Sequence, residues 1–189
     1  MYEHNGEKYF VVDSHMHYWD ASPQNWVAGA EQYAKGWIEC FHAYQSLGPT
    51  ETHQPIEEFQ KVSEEQLMRE VFEEGHVDVA IFQSTYLREW YKEGFNTSER
   101  NGELALKHPE KFRVNTRFDP RDGDAGMREF EANVEKWQPK GIKLYTAEWN
   151  NGSRGFKLTD PECYRFLERA QELGIKNVCL LYTSPSPRD

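Results

Sequence analysis

Long apolar runs are missing from this 189-residue sequence, and no stretch approaches the roughly 20 residues that a membrane span needs. The segment Met1–Glu7 lacks the charged and then apolar pattern of a signal peptide. Cys40, Cys163 and Cys179 are widely spaced and form no CxxC pair, so neither a disulfide framework nor a cysteine zinc site is indicated. We therefore expect a soluble, cytoplasmic protein without a membrane partner.

An excess of basic residues is also missing. The chain has 22 Lys and Arg against 32 Asp and Glu, which gives a formal net charge of −10. Nucleic-acid binding is therefore not expected, because no basic stripe is present to neutralise phosphates. Aromatic residues make up 14% of the sequence, which argues against disorder. The length suits one folded domain.

What is present is an alternation of short β-rich runs and helical patterns. The runs predicted as strands are 9–13, 77–82, 112–118, 141–145 and a fifth that begins at 175. Between them, helix N-caps are predicted at Ser63, Thr97, Asp124 and Asp160. A strand followed by a helix, repeated, predicts parallel strands joined by right-handed crossovers.

The spacing of these units favours a barrel. Three strand-to-strand intervals are close to ~30 residues, the size of one βα unit, while a complete (β/α)₈ barrel needs about 250 residues. The predicted fold is α/β, the first half of a (β/α)₈ TIM barrel with about four βα units and the start of strand five. A small open α/β sheet is the alternative. The partial barrel would span 1–178, with an aromatic-rich insertion at 18–62.

The last residues, 179–189, break this pattern with a Ser/Pro-rich tail. They resemble the translation of a sequencing adapter, so we expect a non-native tail and leave it out of the functional argument. A genuine disordered tail is the alternative.

The most specific functional feature is the segment Asp13–His17, at the end of the first predicted strand. Residues two apart in a strand point the same way, so Asp13, His15 and His17 are expected on one face. Two imidazoles placed in this way can share one cation. The alternative is a pair of surface loop histidines, since HxH alone is a weak motif. His15 and His17 are the predicted metal ligands.

Other candidate site residues follow later strands. Gln83 follows strand two, and Arg117 at the end of strand three could clamp a substrate carboxylate. An ion pair of Arg117 with Asp119 or Asp122 is an equal alternative. Lys143, on strand four, could be a carbamylated metal bridge, but a simple pair with a neighbouring carboxylate is the favoured interpretation.

The insertion carries many aromatic residues, among them Trp19, and Tyr33, Trp37, Phe41 and Tyr44 fall at helical spacing. A loop of this size over a barrel mouth could form a lid or a pocket wall, and Trp19 is predicted to contact substrate. Packing as ordinary core or as an oligomer surface is the alternative.

The segments Asp13–His17, Asp78–Gln83 and Gly141–Tyr145 together resemble the amidohydrolase-related family, of the amidohydrolase 2 type. This family includes aminocarboxymuconate-semialdehyde decarboxylase and related aromatic-acid decarboxylases. The resemblance runs from about residue 8 to Val178.

The resemblance implies a metal-dependent hydrolase, or alternatively a non-oxidative decarboxylase, that acts on a small aromatic or carboxylate substrate. It implies one divalent ion, with zinc expected and iron or manganese as alternatives, held by His15 and His17. The family's next ligand, a histidine, would lie at or just after Cys179, and its aspartate beyond the chain, so this chain is expected to be inactive. A non-catalytic α/β module that binds a protein partner is the remaining alternative, and a homo-oligomer is left open.

Overall fold

A five-stranded parallel sheet organises the chain. The computed structural model describes residues 1–150, 152–153 and 155–180. The parallel strands lie side by side in sequence order, which is the arrangement of successive barrel strands. They follow a two-stranded antiparallel hairpin, β1 and β2. The strands are β1 (Tyr2–His4), β2 (Glu7–Tyr9), β3 (Val12–Met16), β4 (Val79–Gln83), β5 (Phe112–Thr116), β6 (Gly141–Leu144) and β7 (Asn177–Leu180).

Helices occupy the connections between these strands, as the alternating pattern predicts. They are α1 (Glu31–Ala43), α2 (Ile56–Phe59), α3 (Glu64–Leu67), α4 (Ser98–Lys107), α5 (Gly123–Trp137) and α6 (Pro161–Glu172). Helix α3 continues as a π-helical segment over Met68–Glu74. Within the described residues, no helix is long and apolar enough to cross a bilayer.

Of the four predicted N-caps, those at Ser63, Thr97 and Asp160 are confirmed and one is wrong; Asp160 is the N-cap of α6 by position, directly before Pro161, without a side-chain hydrogen bond to the helix. The Ser63 side chain accepts a hydrogen bond from Gln66 N, and the Thr97 side chain accepts one from Arg100 N, so each satisfies a free amide of the first turn. The cap predicted at Asp124 is wrong. Helix α5 already begins at Gly123, directly after a 3₁₀ turn whose cap is Asp119.

The first predicted strand is displaced toward the C-terminus. Residues Tyr2–Tyr9 form the hairpin, and the parallel strand runs over Val12–Met16 rather than 9–13. The cause is a tight turn in which Asn5 and Gly6 both have positive φ, the conformation that favours an Asn-Gly hairpin. The last strand begins at Asn177, two residues after the predicted start, and runs through Leu180 into the predicted tail. The rest of the predicted tail lies outside the described residues.

The two faces of the sheet differ in chemistry. One face packs against the helices through alternate apolar residues such as Phe82, Phe112, Ile142 and Leu144. The Phe82 and Phe112 rings stack with centroids 4.6 Å apart. Toward the carboxyl ends of the strands the intervening positions are polar, namely Gln83, Asn115 and Lys143, and they lie on the inner face of the curled sheet. An inner polar face is where a barrel enzyme places its chemistry, at the carboxyl ends of the strands.

The aromatic residues of the insertion form a core of their own. We call this the insertion cluster; its buried members are Ala21, Ala34, Ile38, Leu87, Tyr91 and Phe95. Helix α1 contributes Trp37 and Phe41, whose rings lie 5.0 Å apart, as the helical spacing predicts. The cluster joins the insertion to the loop that follows β4, over the carboxyl-terminal edge of the sheet.

Candidate metal centre

Two histidine rings meet at the carboxyl end of the first parallel strand. The His15 and His17 rings have centroids 4.9 Å apart in an edge-to-face arrangement. The strict alternation assumed from the sequence does not hold here, because a β-bulge shifts the register between Asp13 and Met16. The Asp13 carboxylate turns back and accepts a hydrogen bond from His15 N at 2.9 Å. The two imidazoles nevertheless lie next to each other, and Asp13 supports the backbone at the bulge.

One nitrogen of His17 is already engaged by protein groups. Its Nδ1 lies 2.9 Å from the Gln83 carbonyl oxygen and 2.7 Å from Asn96 Nδ2. Nε2 is therefore the nitrogen that remains for a ligand. Metal-binding histidines are commonly held in this way, with the other ring nitrogen bonded to a carbonyl or a carboxylate.

The electrostatic surroundings keep both imidazoles neutral. Burial lowers the pKa of His17 to about 4, and the His15 ring and the Lys143 ammonium act in the same direction. Burial also lowers the pKa of His15, with a further contribution from Lys143. At pH 7 both rings are thus in the form that binds a cation. Two adjacent neutral imidazoles fit zinc or iron as part of a ligand set, whereas manganese would favour added carboxylate ligands.

The ligand set is not complete within the described residues, where no group of three His, Cys, Asp or Glu side chains could hold an ion. A catalytic zinc site normally has three protein ligands and an open position. Cys179 lies on β7, the strand on which the resemblance places the next family ligand, and its Sγ is 3.6 Å from Lys143 Nζ.

Gln83 lies beside the histidines but is fully engaged in binding neighbouring strands. Its Nε2 donates to Ser14 O at 2.8 Å, and its Oε1 accepts from Asn115 Nδ2 at 3.2 Å. The side chain thus bridges β3 and β5 across β4. Contact between Gln83 and a substrate, predicted from the sequence, remains a prediction; the observed role is to hold the strand ends in place.

Arg117 is buried, with 8% of its surface exposed. Its guanidinium lies 3.5 Å from an Asp119 carboxylate oxygen, 3.8 Å from a Glu148 carboxylate oxygen, and over the Tyr86 ring. Burial by itself would lower the pKa of Arg117, but Glu148 and other neighbours outweigh burial and raise it. The local geometry is the ion pair that the sequence left as an equal alternative, and a clamp on substrate remains a prediction.

Trp19 packs inside the insertion rather than at the histidines. Its Nε1 donates to Phe59 O at 2.9 Å, and its ring stacks on Phe95 with centroids 6.0 Å apart. This is the packing alternative considered above, and a contact between Trp19 and substrate stays a prediction.

A partly open cavity lies at the rim of the same edge. It lies between the loop after β4 and the loop after β6. Tyr145 forms part of its wall, and the Trp37 ring contacts Tyr145 from the insertion. Its lining residues are Leu87, Glu89, Trp90, Tyr145, Ala147, Glu148 and Trp149. Apolar and aromatic walls of this kind suit a planar organic molecule.

Lys143 lies on the inner face of the sheet, and its environment differs from the one predicted from the sequence. Its side chain is 1% exposed, and within the described residues no carboxylate lies within salt-bridge distance of its ammonium. The favoured pairing with a carboxylate is therefore wrong. The contact found is the Cys179 thiol, a weak acceptor. The available signal was the position of a lysine between apolar residues of a buried strand, at a spacing that points it inward.

Replacing this lysine is expected to stabilise the protein. A buried ammonium without a carboxylate partner is costly, so Lys143→Met should raise the free energy of unfolding by about 1–4 kcal/mol in urea titrations. The matched control is Lys140→Met at an exposed position nearby, which should change it by less than about 0.5 kcal/mol. A loss of stability in Lys143→Met would instead identify the lysine as a structural support.

Comparison with known proteins places this arrangement in a family. The model of the family described as amidohydrolase matches residues 12–185. No curated protein matches the chain with significant sequence similarity.

Solved structures share the fold. An uncharacterized TIM-barrel protein from Bordetella bronchiseptica is 16% identical, with a TM-score of 0.60 over 94% of this chain and 58% of its own. A 2,6-dihydroxybenzoate decarboxylase from Rhizobium is 14% identical, with a TM-score of 0.57 over 95% and 52%. A 5-carboxyvanillate decarboxylase from Novosphingobium aromaticivorans is 14% identical, with a TM-score of 0.55 over 91% and 50%.

The chain spans between half and three fifths of the length of these solved structures. At this level of identity they show the fold, which is that of a partial TIM barrel, while the family model covers most of the sequence, from the start of β3 onward. The chain belongs to the amidohydrolase family.

Proposed function

We propose that this chain provides the first half of the active site of a divalent-metal-dependent enzyme, with His15 and His17 as metal ligands. The observation that carries the proposal is the meeting of two neutral imidazoles, 4.9 Å apart, at the carboxyl edge of a parallel sheet. When bound, the ion would supply Lewis acidity and make water a stronger nucleophile near neutral pH. Zinc is the expected ion, and a solved relative that holds manganese supports manganese as an alternative.

Hydrolysis of a small planar organic molecule is the first candidate reaction. In this assignment the protein contributes the inner polar face, where Gln83 and Asn115 hold the strand ends, and the rim cavity, whose aromatic residues would contact the ligand. Non-oxidative decarboxylation is the second candidate, and the named decarboxylases among the solved structures favour it. In an enzyme with the complete barrel, oxygen from ¹⁸O-labelled water would enter the product of hydrolysis, whereas deuterium from D₂O would enter at carbon after decarboxylation.

The chain by itself is expected to bind an ion but to turn over no substrate, because the described residues supply only two of the three or four ligands that a catalytic site needs. The test is calorimetric titration of the chelator-treated chain with Zn²⁺, Mn²⁺ and Fe²⁺, the last under anaerobic conditions. A stoichiometry of one ion per chain supports the proposal. No binding of any of the three ions would favour the non-catalytic module that binds a protein partner.

A further inference from the structure

Behind His17 lies a buried asparagine from a distant part of the chain. Asn96 is 0% exposed, and it follows His17 by 79 residues in the sequence. Its Nδ2 lies 2.5 Å from the Gln83 carbonyl oxygen and 2.7 Å from His17 Nδ1. Three polar groups thus meet at one point, and the placement of their protons decides which nitrogen of His17 carries a lone pair.

The orientation of the Asn96 amide follows from its other neighbours. Its Oδ1 accepts from Tyr18 N at 3.4 Å. A flipped amide would place this oxygen against the Gln83 carbonyl, where two acceptors would repel each other, and would turn the NH₂ group toward Tyr18 N–H. Nδ2 is therefore the atom that faces Gln83 and His17, and its shorter contact is to the Gln83 oxygen.

Two tautomers of His17 can be compared in this setting. With Nδ1 unprotonated, it would accept a hydrogen bond from Asn96 Nδ2 at 2.7 Å, but its lone pair would also face the Gln83 carbonyl oxygen at 2.9 Å. With Nδ1 protonated, the Gln83 carbonyl accepts from both His17 and Asn96, as an oxygen with two lone pairs can, and the two donor nitrogens lie side by side at 2.7 Å. The second arrangement leaves the lone pair on Nε2.

We propose that Asn96 is a positioning residue for His17, which holds the Gln83 carbonyl so that His17 keeps its proton on Nδ1 and offers Nε2 to the cation. This rests on the proposed function, because the cation is the ligand that Nε2 would serve. Asn96 acts through the backbone of Gln83 and does not itself touch the ion.

The same asparagine connects the site to the insertion. The backbone of Asn96 pairs with Thr85 through two hydrogen bonds, Thr85 N to Asn96 O at 2.7 Å and Asn96 N to Thr85 O at 2.9 Å. The segment between these residues carries Tyr91 and Phe95 into the insertion cluster. The aromatic packing therefore fixes Asn96, which in turn fixes the orientation of His17.

The first test is the tautomer of His17 in the metal-free, unaltered protein, measured at neutral pH by long-range ¹H–¹⁵N NMR on ¹⁵N-histidine-labelled chain. A proton on Nδ1 and an unprotonated Nε2 are expected. The reverse pattern, with the proton on Nε2, would overturn the proposal without any variant. This measurement involves no metal, so it tests the hydrogen-bond network of His17, Gln83 and Asn96 independently of the ion-binding proposal.

The second test compares two buried asparagines. Asn96→Ala should mix the two tautomers and weaken Zn²⁺ binding by roughly 10- to 100-fold, the usual cost of losing a group behind a ligand. Asn101→Ala is the matched control, because Asn101 is also 0% exposed but its amide contacts Ser84 Oγ at 3.4 Å rather than His17. Equal effects in the two variants, or no effect in Asn96→Ala, would contradict the assignment. If Asn96→Ala does not fold, the tautomer of His17 in the unaltered protein decides whether the proposal holds.

Discussion

His17→Ala is expected to weaken the binding of Zn²⁺ or Mn²⁺ by more than about 100-fold. Removal of a direct ligand should exceed the roughly 10- to 100-fold effect of losing a group behind a ligand. The ring is also held in place by the Gln83 carbonyl and Asn96, so the site offers a preformed nitrogen that alanine cannot replace. The measurement is calorimetric titration of the chelator-treated protein with each ion. His15→Ala should weaken binding in the same direction.

The control for this experiment is a histidine at the opposite edge of the sheet. His108 precedes β5, and its Nε2 lies 2.8 Å from a Glu64 carboxylate oxygen. His108→Ala removes the same imidazole from the same chain and should leave the affinity for either ion unchanged. Equal losses in His17→Ala and His108→Ala would mean that the effect comes from the fold, and would remove the support for the metal centre.

Phe82→Ala is expected to lower the free energy of unfolding by about 3–5 kcal/mol. Phe82 is 0% exposed and stacks on Phe112 between the sheet and its helices, so truncation leaves a cavity that the rigid strands cannot fill. Because whole domains are stable by only about 5–15 kcal/mol, a loss of this size is a large fraction of the total. The measurement is the urea transition of the variant and of the unaltered chain, followed by circular dichroism.

Leu106→Ala is the matched control for this prediction. Leu106 is 62% exposed on α4, so its truncation should change the free energy of unfolding by no more than about 0.5 kcal/mol. A small effect in Phe82→Ala would contradict the sheet packing described above. A non-cooperative transition in the unaltered chain would show that the half-barrel does not form a stable core.

The features that the sequence could predict are those that depend on local signals. Spacing over a few residues is enough to predict the βα repeat, the caps at Ser63 and Thr97, and the helical stripe that contains Trp37. The β1–β2 hairpin was not predicted, although Asn5-Gly6 is a local turn signal. The apolar run that begins at residue 9 was interpreted as the first strand instead.

The site was predictable only in part, because its support comes from long-range contacts. His15 and His17 carry a motif in the sequence, but nothing near them in the chain identifies Asn96 as the partner of His17. Two further features depend on which strands and loops become neighbours in the fold. One is the burial of Lys143 without a carboxylate partner, and the other is the pairing of Arg117 with both Asp119 and Glu148. Such contacts are set by tertiary packing, which spacing in one sequence does not contain.

The β-bulge in β3 affects the two faces of this short strand differently. Met16 and Tyr18 pack in the hydrophobic layer under the helices and flank His17, while the extra residue lies between Asp13 and Met16, next to His15. A change in length at Ser14 would therefore re-aim His15, while Met16 and Tyr18 hold His17 and the anchoring layer in place. During divergence, a single inserted or deleted codon at this point could alter the chemistry of the cavity while the scaffold persists.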